Sequence, residues 1–235
     1  MRALVGTSGY NYPEWKGTFY PAKLPTAKML PFYAERLPTV EINYTFYRMP
    51  NAKTVAAWVE ATPPGFTFVL KAPKRITHDA RLKFVEKPLM FFCDTAAGLG
   101  GKLGPLLFQL PPNFKKDTER LRDLLPLIPP AIRCAFEFRH ASWFSDDVYD
   151  LLRGRNAALC IADTDDATTP LVPTADFGYF RLRDEGYSKK ELTQWAGTVQ
   201  DLGKGWTDAF VFFKHEEAGI GAKLAVEFGG ILAAH

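Results

Sequence analysis

Cysteine is scarce in this sequence, with only Cys93, Cys134 and Cys160 among 235 residues. The three lie far apart, and two of them fall inside apolar, strand-like runs. A cysteine in such a run is usually a small buried hydrophobe. This scarcity excludes a scaffold held together by disulfides and suits a reducing compartment, so we expect a cytoplasmic protein.

Long apolar runs are also missing. Nowhere are there about eighteen uninterrupted apolar residues, which is the length that a membrane-spanning helix needs. The first apolar run, Ala3 to Gly6, follows Met1-Arg2 directly and is too short for a signal peptide. We therefore expect a soluble protein with no membrane partner. The sequence does not define its oligomeric state.

The chain has little excess charge of either sign. Its formal net charge is +3, and its basic residues are scattered. Composition alone therefore gives little reason to expect a nucleic-acid-binding protein, although it permits an anionic ligand.

Histidine is too rare for a multinuclear zinc site, because zinc prefers nitrogen and sulfur ligands. Of the four histidines, His235 is terminal and His78 lies in a basic loop, which leaves His140 and His215 at predicted strand ends. We assign no metal ligand and predict no cofactor. A divalent cation such as magnesium stays open, because sites made of oxygen ligands leave a weaker trace in sequence. Its candidate ligands are Glu41, Glu137 and Asp163.

Two further sequence signatures are absent. There is no Gly-x-Ser-x-Gly elbow for serine catalysis, and Ser8 has no evident base. The glycine-rich stretch 98–104 precedes a predicted strand, whereas a dinucleotide-binding loop follows a strand and opens a helix.

What is present is an alternation of short β-type runs with longer helical segments, which is typical of a parallel sheet with crossover helices. Eight strands are predicted, at 3–8, 40–43, 67–71, 106–110, 135–139, 158–163, 178–183 and 209–214. Eight such units in a chain of this length favour a closed TIM-barrel-like (β/α)8 fold over an open sheet, because closure leaves no edge strand. With no repeat or linker in the sequence, we predict a single domain over residues 1–235.

The predicted helices differ in the strength of their signals. Segments 29–37 and 51–61 stop before prolines, 87–97 ends in a glycine, and 117–125 and 145–153 begin with capping residues. Segment 188–202 carries the capping-box pair Ser188 and Glu191. Segment 220–232 is weakened by three glycines. The aromatic stretch 9–24 is too broken for a helix, and we expect it to fold over the barrel mouth.

The run from Cys134 to Phe144 carries charges where an ordinary buried strand would carry valines. Side chains alternate along a strand, so Glu137 and Arg139 share one face while Phe136 and Phe138 share the other. A buried charge has to be paired or used. This run is therefore either an internal ion-pair brace or part of a site.

Polar residues follow nearly every predicted strand, at the end where the active sites of (β/α)8 barrels lie. Strand six also leads into Asp165 and Asp166, and strand eight into the run Lys214 to Glu217. We favour a ligand site over a purely structural network, because so many polar groups converge at one end. The candidate catalytic residues are Glu137, Glu41 and Asp163. The candidate substrate-binding residues are Lys71, Arg139, Arg181, Arg183, Tyr10, Trp15, Asn43, Tyr47, Gln109, His140 and Trp143.

Three functions remain open for these residues. An enzyme would bind an anionic, phosphorylated or nucleotide-like ligand through its arginines and Lys71, with Glu137 and Glu41 in acid/base work or orienting those cations. A non-catalytic protein would bind a small molecule or nucleic acid beside a fixed Glu137–Arg139 brace. A glycoside hydrolase would need the carboxyl groups of Glu41 and Glu137 at one of two set distances.

An ordered series of motifs runs along the chain. The motifs are Gly6-Thr-Ser-Gly-Tyr, Trp15-Lys-Gly, Phe19-Tyr-Pro, Val40-Glu-Ile-Asn, Thr45-Phe-Tyr, Phe68-Val-Leu-Lys, Gly104-Pro, Phe108-Gln-Leu-Pro-Pro and Phe136-Glu-Phe-Arg-His with Trp143. This series resembles the YecE-like family, also called the domain of unknown function 72. The resemblance runs from Gly6 to about Leu232, and it implies a TIM-barrel-like fold without implying an activity. A relationship to endonuclease-IV-like and xylose-isomerase-like barrels has been suggested for that fold. The chain departs from the family pattern at the run from Lys214 to Gly219.

Overall fold

The fold is a closed barrel of eight parallel strands with helices between them. In this computed structural model, residues 1–164, 167–184, 186–214 and 219–234 are described. The strands are β1 (Arg2–Ser8), β2 (Thr39–Ile42), β3 (Thr67–Lys71), β4 (Leu103–Gln109), β5 (Cys134–Glu137), β6 (Ala158–Thr164), β7 (Ala167–Thr168), β8 (Phe177–Leu182) and β9 (Asp208–Phe213).

Pairing closes the barrel between the first and last strands. Neighbours follow in the order β1, β2, β3, β4, β5, β6, β8, β9, and β9 pairs in parallel with β1. The short β7 is added antiparallel to the end of β6. The predicted (β/α)8 fold is thus confirmed.

Seven helices lie outside the barrel in the described part of the chain. Their bounds are α1 (Met29–Ala34), α2 (Ala52–Glu60), α3 (Glu86–Ala97), α4 (Thr118–Leu124), α5 (Asp146–Gly154), α6 (Lys189–Leu202) and α7 (Ile220–Ala234). The capping box at Ser188 and Glu191 forms as predicted. No helix in the described ranges is both long and apolar enough to cross a membrane.

Two strand boundaries differ from prediction for identifiable reasons. Strand β4 begins at Leu103 because Gly104, which looks like a turn residue, packs closely against Thr67 and Val69 of β3. Strand β5 ends at Glu137, so Arg139 lies beyond the last ladder pair. Arg139 is therefore closer to the open mouth than a strand residue would be.

Side chains alternate between the barrel interior and the helix layer. The middle of the interior is mainly apolar or aromatic, with the hydroxyl of Tyr179 among these side chains, and the polar side chains of the site lie above it. This inner cluster consists of Leu4, Val69, Leu107, Ala135, Ala158, Cys160, Phe177, Tyr179, Phe210 and Phe212.

The aromatic segment 9–24 packs largely against α1. Trp15 and Tyr20 are buried, and Phe19 contacts the rings of Phe32 and Tyr33 edge-on. The expectation that the whole segment folds over the mouth is therefore wrong for these rings, because they pack against one another and against α1.

Candidate functional site

One buried arginine joins two carboxylates inside the top of the barrel. Glu41 on β2, Glu137 on β5 and Arg181 on β8 are each at most 1% exposed. The Nη1 of Arg181 donates to Oε2 of Glu137 at 2.6 Å, and its Nη2 donates to Oε1 of Glu41 at 2.8 Å. Strand alternation thus brings together charges from three strands that are not neighbours.

The carboxylate of Glu41 accepts two further hydrogen bonds, from Ser8 and Tyr179. Ser8 Oγ donates to its Oε1 at 2.8 Å, and the Tyr179 hydroxyl donates to its Oε2 at 2.6 Å. Burial alone would raise the pKa of Glu41, but Arg181 and these hydroxyls outweigh it, so the pKa is lowered. Burial and the nearby Glu41 charge raise the pKa of Tyr179, which keeps it a donor.

Glu137 accepts four hydrogen bonds in all. Besides Arg181, Gln109 Nε2 donates at 2.8 Å, Arg183 Nη2 at 2.9 Å and Arg139 Nε at 3.2 Å. Burial opposes ionisation of Glu137, but the three arginines prevail and hold its pKa well below the usual range. Both glutamates are therefore ionised acceptors at neutral pH.

Among the described residues, cations outnumber carboxylates in this network. Lys71, Arg139, Arg181 and Arg183 carry four positive charges against the two negative charges of the glutamates, an excess of two. The side chain of Arg139 is 34% exposed and that of Arg183 is 14% exposed, so both reach the mouth. The Nε atoms of Arg181 and Arg183 are buried and have no hydrogen-bond partner in the described structure.

Lys71 ends β3 at the mouth, and its Nζ lies 4.2 Å from the ring centroid of Phe46. Burial, followed by the neighbouring Arg181, lowers the pKa of Lys71 to about 8. His78 meets Phe46 edge-on at 4.9 Å, and burial together with Lys71 and Arg139 lowers its pKa to about 4. His78 is thus an uncharged neighbour of the cations at neutral pH.

A cavity of about 670 Å³ opens beside the arginine cluster rather than over it. The loops after β1 and β2 and one face of α2 form its walls, which include Tyr10, Asn43 and Trp58. Asn43 lies two residues beyond Glu41, and its Oδ1 is buried without a hydrogen-bond partner in the described structure. The predicted residues Tyr10 and Asn43 therefore line a cavity next to the predicted cations.

Asp163 does not join Glu41 and Glu137, which corrects its place among the candidate catalytic residues. Ala158 and Cys160 of β6 point into the barrel, so Asp163 points outward to α6. It accepts hydrogen bonds from Thr168 at 2.6 Å, Tyr187 at 2.7 Å and Trp195 at 3.2 Å. These contacts give it a role in packing α6 against the barrel.

The two predicted stacking tryptophans are buried. Trp15 is 1% exposed, and Trp143 is 0% exposed. Trp143 stacks on Phe138 at 4.7 Å and donates its Nε1 proton to the Phe114 carbonyl at 2.7 Å. A ligand cannot reach either ring in this arrangement, so their predicted stacking role is corrected to packing.

Two other predicted residues lie away from the network. Tyr47 is 81% exposed and packs edge-on against Phe46. The Nδ1 of His140 bonds with Ser142 and caps the short turn that follows β5. The predicted residues Asp165, Asp166, His215, Glu216 and Glu217 lie outside the described residues.

The carboxylate oxygens of Glu41 and Glu137 are arranged to bind arginine and not a metal ion. No group of three or more histidine, cysteine, aspartate or glutamate side chains in the described ranges is arranged to hold a metal. Glu41 and Glu137 already accept seven hydrogen bonds from protein groups, three to Glu41 and four to Glu137. A magnesium ion at these oxygens would have to displace Arg181, and Asp163 faces elsewhere.

Sequence reasoning missed several residues of this site. Tyr179 could have been found, because it shares a strand face with Arg181 at a spacing of two. His78 and Phe46 gave no such signal, because they lie in irregular segments, His78 in a single turn of π-helix (Arg75–Asp79) and Phe46 in a turn of 3₁₀ helix (Tyr44–Phe46).

The fold and the site together define the class: a (β/α)8 barrel with an arginine-bridged, cation-rich mouth. The model of a family described as "Protein of unknown function DUF72" matches residues 4–235. The chain therefore belongs to the DUF72 family, as its motifs indicated.

Relatives and solved structures agree with this assignment. The chain is 26% identical to the UPF0759 protein YunF of Bacillus subtilis over 97% of this chain and 96% of that protein. It is 28% identical to YecE of Escherichia coli K12 over 60% of this chain and 50% of that protein. A DUF72 family crystal structure from Thermotoga maritima superposes with a TM-score of 0.88 at 27% identity, covering 99% of this chain and all of that one. A second, from Enterococcus faecalis, gives 0.78 at 20% identity, covering 99% and 98%.

Proposed function

We propose that this protein binds an anionic ligand at the C-terminal mouth of its barrel, through Lys71, Arg139 and Arg183. The observation that carries the proposal is the excess of two positive charges, counted over the described residues, in a network whose carboxylates already accept hydrogen bonds from protein groups. Guanidinium groups suit phosphate and carboxylate oxygens, which accept paired hydrogen bonds. The negative charge of the ligand would neutralise the positive charge that Glu41 and Glu137 do not neutralise.

Glu41 and Glu137 are best suited to orienting the arginines. An acid/base residue has to exchange a proton near neutral pH, whereas the lowered pKa values of both glutamates keep them ionised. Four donors on Glu137 also leave it little capacity to accept a substrate proton. If the protein is an enzyme acting on this ligand, a hydrolase included, its acid/base group is another residue.

A glycoside hydrolase is the weaker alternative. Its mechanism needs the sugar between the two carboxyl groups. The guanidinium of Arg181 bonds both Glu41 and Glu137 and occupies that place. A sugar could enter only after this buried ion pair had broken.

The neighbouring cavity supports a ligand larger than a simple anion. Its volume of about 670 Å³ falls within the usual range for small-molecule sites. Tyr10 and Trp58 offer aromatic walls, and Asn43 offers a buried acceptor for a donor group. A phosphorylated or nucleotide-like molecule, with its anion on the arginines and its uncharged part here, fits both features.

A non-catalytic binding protein is the second candidate, and the complete pairing of both carboxylates favours it. The two candidates differ in whether the wild-type protein converts the ligand that it binds. Release of a product from the bound ligand would support the enzyme, and binding without conversion would support the binding protein. Glu137→Gln should weaken ligand affinity in either case, because Glu137 orients the arginines. A nucleic-acid ligand would show itself by a steep fall of affinity with salt.

The test is calorimetric titration with pyrophosphate at low ionic strength. We expect Arg183→Gln to weaken pyrophosphate binding at least about tenfold, because a charge-assisted hydrogen bond contributes about 1.5–3 kcal/mol. Arg133→Gln is the matched control, since Arg133 pairs with Asp208 near the opposite end of the barrel. Equal affinities of the two variants would contradict the proposal.

A further inference from the structure

Lys71 differs from the other buried or paired lysines of the described chain. Lys102 Nζ donates to three oxygens, and Lys116 Nζ pairs with Asp147. Lys71 Nζ forms no salt bridge or hydrogen bond with any described residue, and its close contact is the face of Phe46. Its ammonium form is therefore stabilised less than that of an ordinary lysine.

The surroundings of Lys71 also favour the neutral amine. The side chain is partly buried and Arg181 repels its charge, and the attraction of Glu41 and Glu137 offsets these effects only in part. The pKa of Lys71 falls to about 8 as a result. Desolvation and a nearby cation are the two conditions that turn a lysine into a nucleophile.

The same cations would hold an anionic group beside this amine. Arg139 and Arg183 reach the mouth from β5 and β8, across from the end of β3. A molecule with its carboxylate or phosphate on these arginines would place an adjoining carbonyl carbon towards Lys71. Carbonyl carbon is the electrophile with which lysine amines form covalent intermediates in enzymes.

We propose that Lys71 is a nucleophilic amine that forms an imine with small aldehydes or ketones carrying a carboxylate or phosphate group. This inference rests on the anion site proposed above. Lys71 first gives a proton to solvent, and its Nζ lone pair adds to the carbonyl carbon to form a carbinolamine. Solvent returns a proton to the hydroxyl of the carbinolamine, the C–O bond breaks and water leaves. The ammonium and the carbonyl thus become a protonated imine and one water, with no change of oxidation state.

Reductive trapping of the full chain tests this proposal. The probe is glyoxylate with sodium cyanoborohydride, followed by peptide mapping by mass spectrometry, which detects a carboxymethyl group on the modified lysine. We expect Lys71 to be modified at least about tenfold faster than Lys74 at pH 7.5, because a lowered pKa leaves more neutral amine. Lys74 is a matched internal control, 55% exposed and paired with Asp79.

Three further measurements test the same proposal: a pH profile, competition by phosphate and a Lys71 variant. The pH profile of Lys71 labelling should have its midpoint near 8. Inorganic phosphate should slow labelling by glyoxylate but not by acetaldehyde, which has no anionic group. Lys71→Arg should abolish the labelled peptide, because a guanidinium that is always charged offers no neutral amine.

Two results would overturn the inference in distinguishable ways. If pyrophosphate binds as expected but Lys71 reacts no faster than Lys74, the nucleophilic amine is wrong and the anion site stands. If glyoxylate and acetaldehyde label Lys71 equally, and phosphate changes neither rate, both the anion requirement and the proposed function fail.

Discussion

The barrel carries an arginine–carboxylate network near each end, and the two networks differ in burial and charge. At the lower end, Asp208 accepts from Arg2 at 2.8 Å and from Arg133 at 2.6 Å. The side chains of these arginines are 58% and 31% exposed. At the upper end, Arg181 and both of its glutamates are almost wholly buried.

The difference between the networks indicates different roles. Arg133 lies over the rings of Phe177 and Phe210, at 5.2 and 5.1 Å, so the lower network covers the apolar interior. In the upper network, the Nε atoms of Arg181 and Arg183 have no hydrogen-bond partner among the described residues, and the side chains of Arg139 and Arg183 reach the mouth. In (β/α)8 barrels the lower face serves stability and the upper face carries the site. The same pairing chemistry therefore acts as a brace below and as a platform above.

The largest expected effect comes from removing the shared cation of the upper network. Arg181→Met leaves two carboxylates buried without their main partner. We expect the free energy of unfolding to fall by about 3–5 kcal/mol, as for other broken buried ion pairs. Urea denaturation followed by circular dichroism measures the change. A loss below about 1 kcal/mol would make the upper network no more important to stability than an exposed pair.

The second-largest effect is expected at low pH, where protonation of Glu137 should remove its contribution to the free energy of unfolding. The folded-state pKa of Glu137 lies below its unfolded value of about 4.3, so this residue stabilises the fold above that pH and loses its contribution as pH falls below about 4. Glu137→Gln should therefore flatten the dependence of stability on pH between 5 and 3. Urea midpoints of the variant and the wild type at both pH values test this, and parallel curves would contradict it.

A smaller effect is expected at the lower end. Asp208→Asn removes two ion pairs whose arginines are 58% and 31% exposed, and pairs screened by water contribute about 0–1 kcal/mol. We expect a stability loss of no more than about 1 kcal/mol and unchanged pyrophosphate affinity. Thermal unfolding and calorimetry measure the two quantities. A loss as large as that of Arg181→Met would remove the distinction between the two ends.

The smallest effect on ligand binding is expected from Asp163→Asn. Asp163 is a buried carboxylate near the upper end, but it faces Tyr187 and Trp195 of the helix layer. We expect pyrophosphate affinity to stay within about twofold of the wild type, because Arg183 contacts Asp163 only through the backbone, N to O at 3.0 Å, and no mouth cation pairs with its carboxylate in the described structure. A tenfold loss would extend the site to the outer face of β6.

Most of the site that could be predicted from the sequence followed from the alternation of side chains along strands and from the (β/α)8 fold. The spacing of two between Glu137 and Arg139, and between Arg181 and Arg183, placed these four residues together correctly. Alternation did not settle Asp163, because both faces of β6 are apolar and the sequence does not indicate which face points inward. Burial of Trp15 and Trp143 depends on contacts with distant aromatic residues, which local sequence does not reveal.

The central claim is that the upper network is an anion platform and the lower one is a brace. The most direct test is a crystal structure of the protein soaked in tungstate, with anomalous diffraction locating the tungsten. The account predicts a strong peak within hydrogen-bonding distance of Arg139 and Arg183, and none between Arg2 and Arg133. An empty mouth, or a peak at the lower network alone, would contradict it.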